Sequence, residues 1–261
     1  RTQRGPDTVG PSGVARFVLS GLEPASEYGF EVGGMRGRFR TPPVGPFSYR
    51  VAFGSCADTR SDHPVFDAIV AREPLFFLHL GDLHYRDIDE DDRTRFLRAY
   101  DEALSQPAQA RLFRQVPVAY VWDDHDFGPN DADRTSDSLV AASSAFREVV
   151  PRHPLALAGP TAPIGRAFSI GRVRYILTDL RSARSPQGAS SPTMLGHAQK
   201  RWLLEELSRA SRSHALVVWA STVPWIADGG DDWGGYPRER EEISNHIVSE
   251  GIRNLVMLAG D

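Results

Sequence analysis

Four short turns carry most of the side chains able to do chemistry, and each follows an apolar, strand-like run. Gly54-Ser55-Cys56-Ala57-Asp58 comes after Val51-Ala52-Phe53, and Gly81-Asp82-Leu83-His84-Tyr85 after Phe76-Phe77-Leu78-His79-Leu80. Asp123-Asp124-His125-Asp126 follows Val118-Ala119-Tyr120-Val121-Trp122, and Gly260-Asp261 closes the run Leu255-Val256-Met257-Leu258-Ala259. Open α/β sheets place their sites at the carboxyl ends of strands, so these turns are expected to share one cleft. Carboxylates packed together repel unless a cation or an imidazolium compensates. The chemistry they suggest is a pair of metal ions clamping an in-line displacement at a phosphate ester, with an acidified water as nucleophile.

The roles divide by residue type. Asp82 is the candidate bridging ligand, and Tyr85, three residues on, can present its oxygen to the same ion. Cys56 is the single cysteine, so it has no partner for an intramolecular disulfide. A thiolate beside a metal ion is deprotonated and binds it, which makes Cys56 a ligand candidate; otherwise it is a small buried hydrophobe. Asp124 is placed on a metal, His125 faces the substrate oxygen as transition-state stabiliser or proton donor, and Asp126 orients the imidazole. The structural alternatives are a helix N-cap for Asp82 and a salt-bridge network for the Asp-Asp-His-Asp turn. Arg181 or Arg184 can hold a phosphate oxygen with a guanidinium fork, or can serve the fold alone. His79 reads as a core histidine and His84 as either core or site. Asp231-Asp232-Trp233, in a Gly-rich stretch, is either a cap over the cleft or a solvated loop.

Composition limits the other possibilities. The 261 residues suit one large domain, or one domain plus a fragment. With 41% hydrophobic and 25% charged residues and a mean hydropathy of -0.35, the chain reads as globular. A net charge of -4 argues against a nucleic-acid-binding patch or polybasic membrane binding as the main role. No apolar run approaches the roughly 20 residues that span a bilayer, and no signal peptide is visible. Oligomeric state is not legible.

Two regions are expected from patterning. Residues 1–12 are polar and Gly/Pro-rich and read as irregular. Three alternating segments, 14–19, 28–32 and 37–41, then predict one half-buried antiparallel sheet. The Gly21-Leu22-x-Pro24-x-x-x-Tyr28 phrase is similar to the corner of fibronectin type III or immunoglobulin-like sandwiches, with Tyr28 as the corner tyrosine. Pro42-Pro43-Val44-Gly45-Pro46 is a stiff linker. From Phe47 the pattern is α/β, with strands at 48–54, 75–81, 117–122, 215–221 and 254–259, and a hairpin across 167–178. Helices are expected at about 64–72, 91–105, 137–149, 197–210 and 238–250.

Taken in order, Gly-Ser-Cys, Gly-Asp-x-x-Tyr, Trp122-Asp-Asp-His-Asp and the final Gly-Asp resemble the PhoD-like (alkaline phosphatase D) branch of the metallophosphoesterases. Thr178-Asp179-Leu180-Arg181, Thr193-Met194-Leu195-Gly196, Val223-Pro224-Trp225 and Asp232-Trp233-Gly234-Gly235-Tyr236 agree, over residues 47–261. The resemblance implies a four-layer α/β/β/α sandwich in 47–261, preceded in 1–46 by part of a fibronectin- or Ig-like β-sandwich. It implies hydrolysis of phosphate mono- or diesters, with ferric iron and calcium or another divalent metal as cofactors. Cys56, Asp82 and Tyr85 would serve the iron with Asp82 bridging; Asp124, assisted by Asn130, would serve the second metal. Asp261 matches the aspartate of a closing Gly-Asp-x-His motif whose histidine falls past the last residue, so both ends read as cut. That leaves a metal-binding module without turnover as the alternative function. The same resemblance suggests a secreted or extracytoplasmic setting.

Overall fold

In the computed structural model, residues 5–261 are described. Two small antiparallel pairs come first: β1 (Thr8–Val9) with β2 (Ala15–Arg16), and β3 (Glu27–Val32) with β4 (Met35–Arg40). The expected three-stranded sheet is therefore not formed. The 14–19 segment pairs with β1, inside the stretch read as irregular, and not with β3 or β4. The β3–β4 hairpin is largely exposed. The corner contact of Tyr28 is nonetheless made, since its hydroxyl accepts the Glu23 backbone N–H at 2.7 Å.

The rest alternates strand and helix: β5 (Val51–Gly54), α1 (Val65–Ala71), β6 (Phe76–His79), α2 (Arg93–Ser105), α3 (Pro107–Gln115) and β7 (Val118–Tyr120). Then come α4 (Asp124–Phe127), α5 (Leu139–Val149), the hairpin β8 (Arg166–Ile170) and β9 (Val173–Leu177), and α6 (Gly196–Ser213). β10 (Leu216–Ser221), α7 (Pro237–Ser249) and β11 (Leu255–Ala259) finish the chain. Helix α3 was not expected. Gln106 precedes a proline, which drives it out of the helical region (φ -60°, ψ 131°), so α2 stops there. The same Pro107 then starts α3, because a first-turn position has no N–H bond to lose.

β5, β6 and β7 form a parallel sheet, and β9, β10 and β11 are parallel in a second sheet whose far edge is the antiparallel β8. Alternation along the strands assigns the layers. Phe76 and Leu78 share one core with Tyr175, Leu177, Val218 and Ala220 of the other sheet, so these faces meet. Phe77 turns the opposite way onto Phe66 of α1 and Ala108 and Leu112 of α3. Ile176, Val217 and Trp219 face Leu203 and Leu207 of α6 and Ile243 of α7. Helices thus cover both outer faces of a two-sheet sandwich. Helices α2 and α5 join the inner core through Phe96, Tyr100 and Phe146. Truncating a side chain there, such as the fully buried Leu78, to alanine costs about 2–5 kcal/mol through lost burial and the cavity left behind.

Candidate metal centre

Six parallel strands end on the same side, and the turn after each supplies a polar group: Cys56, Asp82, Asp124, the Asp179–Arg181 pair, Thr222 and Asp261. Backbone contacts hold the turns together. Cys56 N–H donates to Gly81 O at 3.2 Å and Ala57 N–H to Asp82 O at 3.3 Å, lacing the β5 turn to the β6 turn. Gly81 sits at φ +99°, and a Cβ there would come within 2.5 Å of Asp123 Cβ. A Cβ on Gly260 would lie 2.6 Å from Leu80 O, 2.9 Å from Thr222 O and 3.0 Å from Ser55 Cβ. Only glycine lets these turns approach so closely.

The approach gathers the expected ligands. Asp82 Oδ2 accepts from Tyr85 Oη at 3.2 Å and from Cys56 Sγ at 3.5 Å, while the Asp261 backbone N–H points to the sulfur. Asp82, Asp124 and His125 each offer one ligand atom, all within 4.8 Å of one another, and Asp124, Asp131 and Asp231 do the same. Asp124 belongs to both groups. Cys56 is exposed at the mouth of the cleft, which excludes the buried-hydrophobe reading. Five of the seven non-glycine residues with left-handed φ among the described residues, Cys56, Asp82, Asp87, Asp131 and Asp261, lie at these turns. Such conformations cost free energy and persist where the surroundings over-determine them, as at functional sites.

The electrostatics are those of a site short of positive charge. Burial, then the neighbouring Asp124, pushes the Asp82 carboxyl up to about 6, against the pull of His125. Asp261 is raised by burial and by Asp124 and Asp231. Cys56 and Tyr85 are raised too, by burial first and by Asp82 in addition. Burial alone would lower His125, but its bond to Asp87 and the charges of Asp124 and Asp82 outweigh that and raise it. A bound cation inverts each of these acid shifts. The donor set fits one: Asp82 Oδ1 is buried with no hydrogen-bond partner, and the grouped donors are carboxylate oxygens with one histidine nitrogen, the Cys56 sulfur lying beside them against Asp82 Oδ2.

Two expected roles are corrected. Asp126 does not orient His125. Its Oδ2 accepts the backbone N–H groups of Asp82 (2.6 Å) and Asp123 (3.1 Å), and its Oδ1 those of Leu83 (2.7 Å) and His84 (3.1 Å). It ties the turns after β6 and β7 together, because α4 begins at Asp124 and turns the Asp126 side chain back toward the β6 turn. Arg181 is not free to hold phosphate. Its guanidinium is wholly buried and donates to Asp123 Oδ1 (2.5 Å) and, as a fork, to both oxygens of Asp231 (2.8 Å each). Arg184 donates from Nε to Tyr236 Oη and from Nη2 to Asp231 O, while its buried Nη1 has no partner.

Other residues find settled places. His79 and His84 are core histidines, both lowered to about 4 chiefly by burial. Asn130 is exposed and makes no side-chain hydrogen bond. Its neighbour Asp131, which patterning did not single out, is the residue that meets Asp124, through a 2.7 Å N–H bond and a shared ligand position. Asp231 is held by the Arg181 fork, while Asp232 instead caps the 3-10 turn Trp233–Gly235. Asp87, whose carboxylate bonds His125 Nδ1, was likewise missed, because the run from Asp87 to Arg95 reads as solvated charge.

Fold and centre together define a metallophosphatase-like α/β sandwich. A model of the PhoD-like phosphatases matches residues 51–261, and the chain belongs to that family. The chain is 24% identical over 261 aligned positions to alkaline phosphatase D of Bacillus subtilis (strain 168), covering 80% of this chain and 45% of that protein. It superposes on a solved structure of PhoD with a TM-score of 0.76 at 22% identity, over 92% of this chain and 57% of that one. A purple acid phosphatase, PPD1, from yellow lupin (Lupinus luteus) seeds shares the fold at a TM-score of 0.51 and 15% identity, over 78% of this chain and 38% of that one. The chain thus spans about half the length of these relatives. None of its described helices is long and apolar enough to cross a membrane.

Proposed function

We propose that this chain carries the centre of a metal-dependent phosphate-ester hydrolase acting on mono- or diesters. The observation that carries the proposal is the meeting of four separate turns at Asp82: Cys56 and Tyr85 bond its Oδ2, Asp124 stands beside it, the Asp261 backbone reaches the Cys56 sulfur, and Asp82 Oδ1 is left buried without a partner. In this reading Cys56, Asp82 and Tyr85 hold ferric iron. Asp82 and Asp124, with Asn130 and Asp261, hold calcium or another divalent ion. Bound there, the ions acidify a water and neutralise charge on the phosphoryl oxygens. His125 supplies the proton: as the P–O bond breaks, its electron pair passes to the leaving oxygen, which takes the hydrogen from Nε2. Asp126 keeps the Asp82 turn rigid, and the Arg181 bond keeps Asp123 from competing for the ions.

Family membership supports the activity, and the fold neighbours support a phosphatase scaffold. Residues 47–261 form the catalytic unit in this proposal, and 1–46 part of a fibronectin- or Ig-like domain, for which the Tyr28 corner speaks. An extracytoplasmic setting belongs to the same proposal. The test is release of an aryl alcohol from aryl phosphate and bis-aryl phosphate by the chain supplied with ferric iron and calcium. Turnover that chelation abolishes is expected. Metals bound at this cluster with no release above background would sink it.

A further inference from the structure

The β6 turn supplies more than ligands. Past Asp82 and Tyr85 it continues to Asp87, an exposed residue whose carboxylate bonds Nδ1 of His125. Asp87 is held at φ +45°, a left-handed conformation that aspartate, asparagine and glycine adopt more readily than other residues. Tyr85, from the same turn, lies against the imidazole, ring centroids 4.2 Å apart. The ring is therefore gripped on one nitrogen and one face by a single three-residue segment, Tyr85 to Asp87. With Nδ1 engaged, Nε2 is the nitrogen left for a substrate, and a ring nitrogen of His125 lies within 4.8 Å of ligand atoms of Asp82 and Asp124.

We propose that Asp87 is a positioning residue for His125, fixing both the ring's orientation and the nitrogen on which its proton stays. This rests on the reading of His125 as the group that protonates the leaving oxygen. A histidine that gives up one proton must keep the other, and a carboxylate on Nδ1 holds that proton there. Once Nε2 has lost its hydrogen, the neutral ring is the Nδ1–H form. Asp87 itself stays a carboxylate throughout. The role that patterning assigns to Asp126, on the same helix turn as His125, is thus filled from the turn after the neighbouring parallel strand β6.

Two substitutions suit the backbone: glycine relaxes φ +45° and deletes the carboxylate, and asparagine keeps the shape and tolerates the conformation. Asp87→Gly is expected to lower kcat about 10- to 100-fold for a phosphate ester with a poorly acidic leaving alcohol. A nitrophenyl ester, which needs no proton on departure, should change less than about threefold, and Asp87→Asn should fall between the two. The second measurement needs no turnover: two-bond proton–nitrogen spectra of the full chain in calcium alone. His125 should be the Nδ1–H tautomer in the unaltered chain and the Nε2–H tautomer in Asp87→Gly. Equal losses on both esters, or one tautomer in both proteins, overturn the proposal. If the unaltered chain hydrolyses neither ester, the assignment of function fails separately while the spectra still decide what Asp87 does.

Discussion

Two buried acid clusters lie side by side in this molecule and differ in where their counter-charge comes from. Around Arg181, Asp123 and Asp231 share a guanidinium that the fold itself supplies. Burial alone would raise Asp231, but the Arg181 fork outweighs it and holds that carboxyl low. Around Asp82 there is no such cation, and the acid is held up near 6 by burial and by Asp124. Asp123 is intermediate: burial lifts it to about 7 in spite of Arg181. A complete ion pair is architecture, whereas an incomplete one is a demand on the solvent, and the metal centre is the incomplete one.

The sharpest way to break that contrast is Asp82→Asn, since asparagine tolerates the left-handed φ of 57°. Hydrolysis should fall by roughly 10³-fold, the equivalent of several kcal/mol of lost charge stabilisation, and iron content should drop with it. Metal-free protein should melt no lower at pH 7.5. Raising an acid from 3.8 to about 6 in the fold opposes folding above that range, by up to about 3 kcal/mol, and the amide removes the penalty. If chelated Asp82→Asn melted well below the chelated parent, Asp82 would be structural.

Arg181→Met does the reverse. It strands Asp123 and Asp231 in the interior and should destabilise the fold by about 3–5 kcal/mol in denaturant titrations, with or without metals. A loss under 1 kcal/mol would dissolve the distinction between the clusters.

The smallest effect concerns pH. His79, edge-on to Phe77 and Tyr120, is lowered from 6.5 to about 4 by burial. A base depressed by folding contributes stability that is complete above 6.5 and lost as pH falls through about 4, here at most about 3 kcal/mol. His79→Leu should therefore flatten the loss of melting temperature in metal-free protein between pH 6.5 and 4. An unchanged acid limb would place the titrating group elsewhere.

Legibility tracked locality. Each candidate turn follows an apolar run that reads as a strand, so Cys56, Asp82, Tyr85 and Asp124 stood out from neighbouring residues alone. Helix α3 was missed because Pro107 ends one helix while starting another, and both effects look alike in sequence. The sheet expected at the N-terminal end failed because alternation shows that a segment can be a strand without naming its partner. Asp126 was misassigned since a one-turn helix, which spacing cannot reveal, swings it away from His125. Asp87 and Asp131 were passed over, and Asp231 was left between a cap and a solvated loop, because acids in polar loops are usually solvated.

What the chain by itself determined is the set of strands, the glycines that allow their turns to touch and the residue types that demand a cation, because these depend on hydrophobic period and on backbone sterics over a few residues. What only the tertiary structure decided is which carboxylate faces which partner. An acid becomes a ligand, a clamp or a counter-ion according to the charge that long-range packing sets against it.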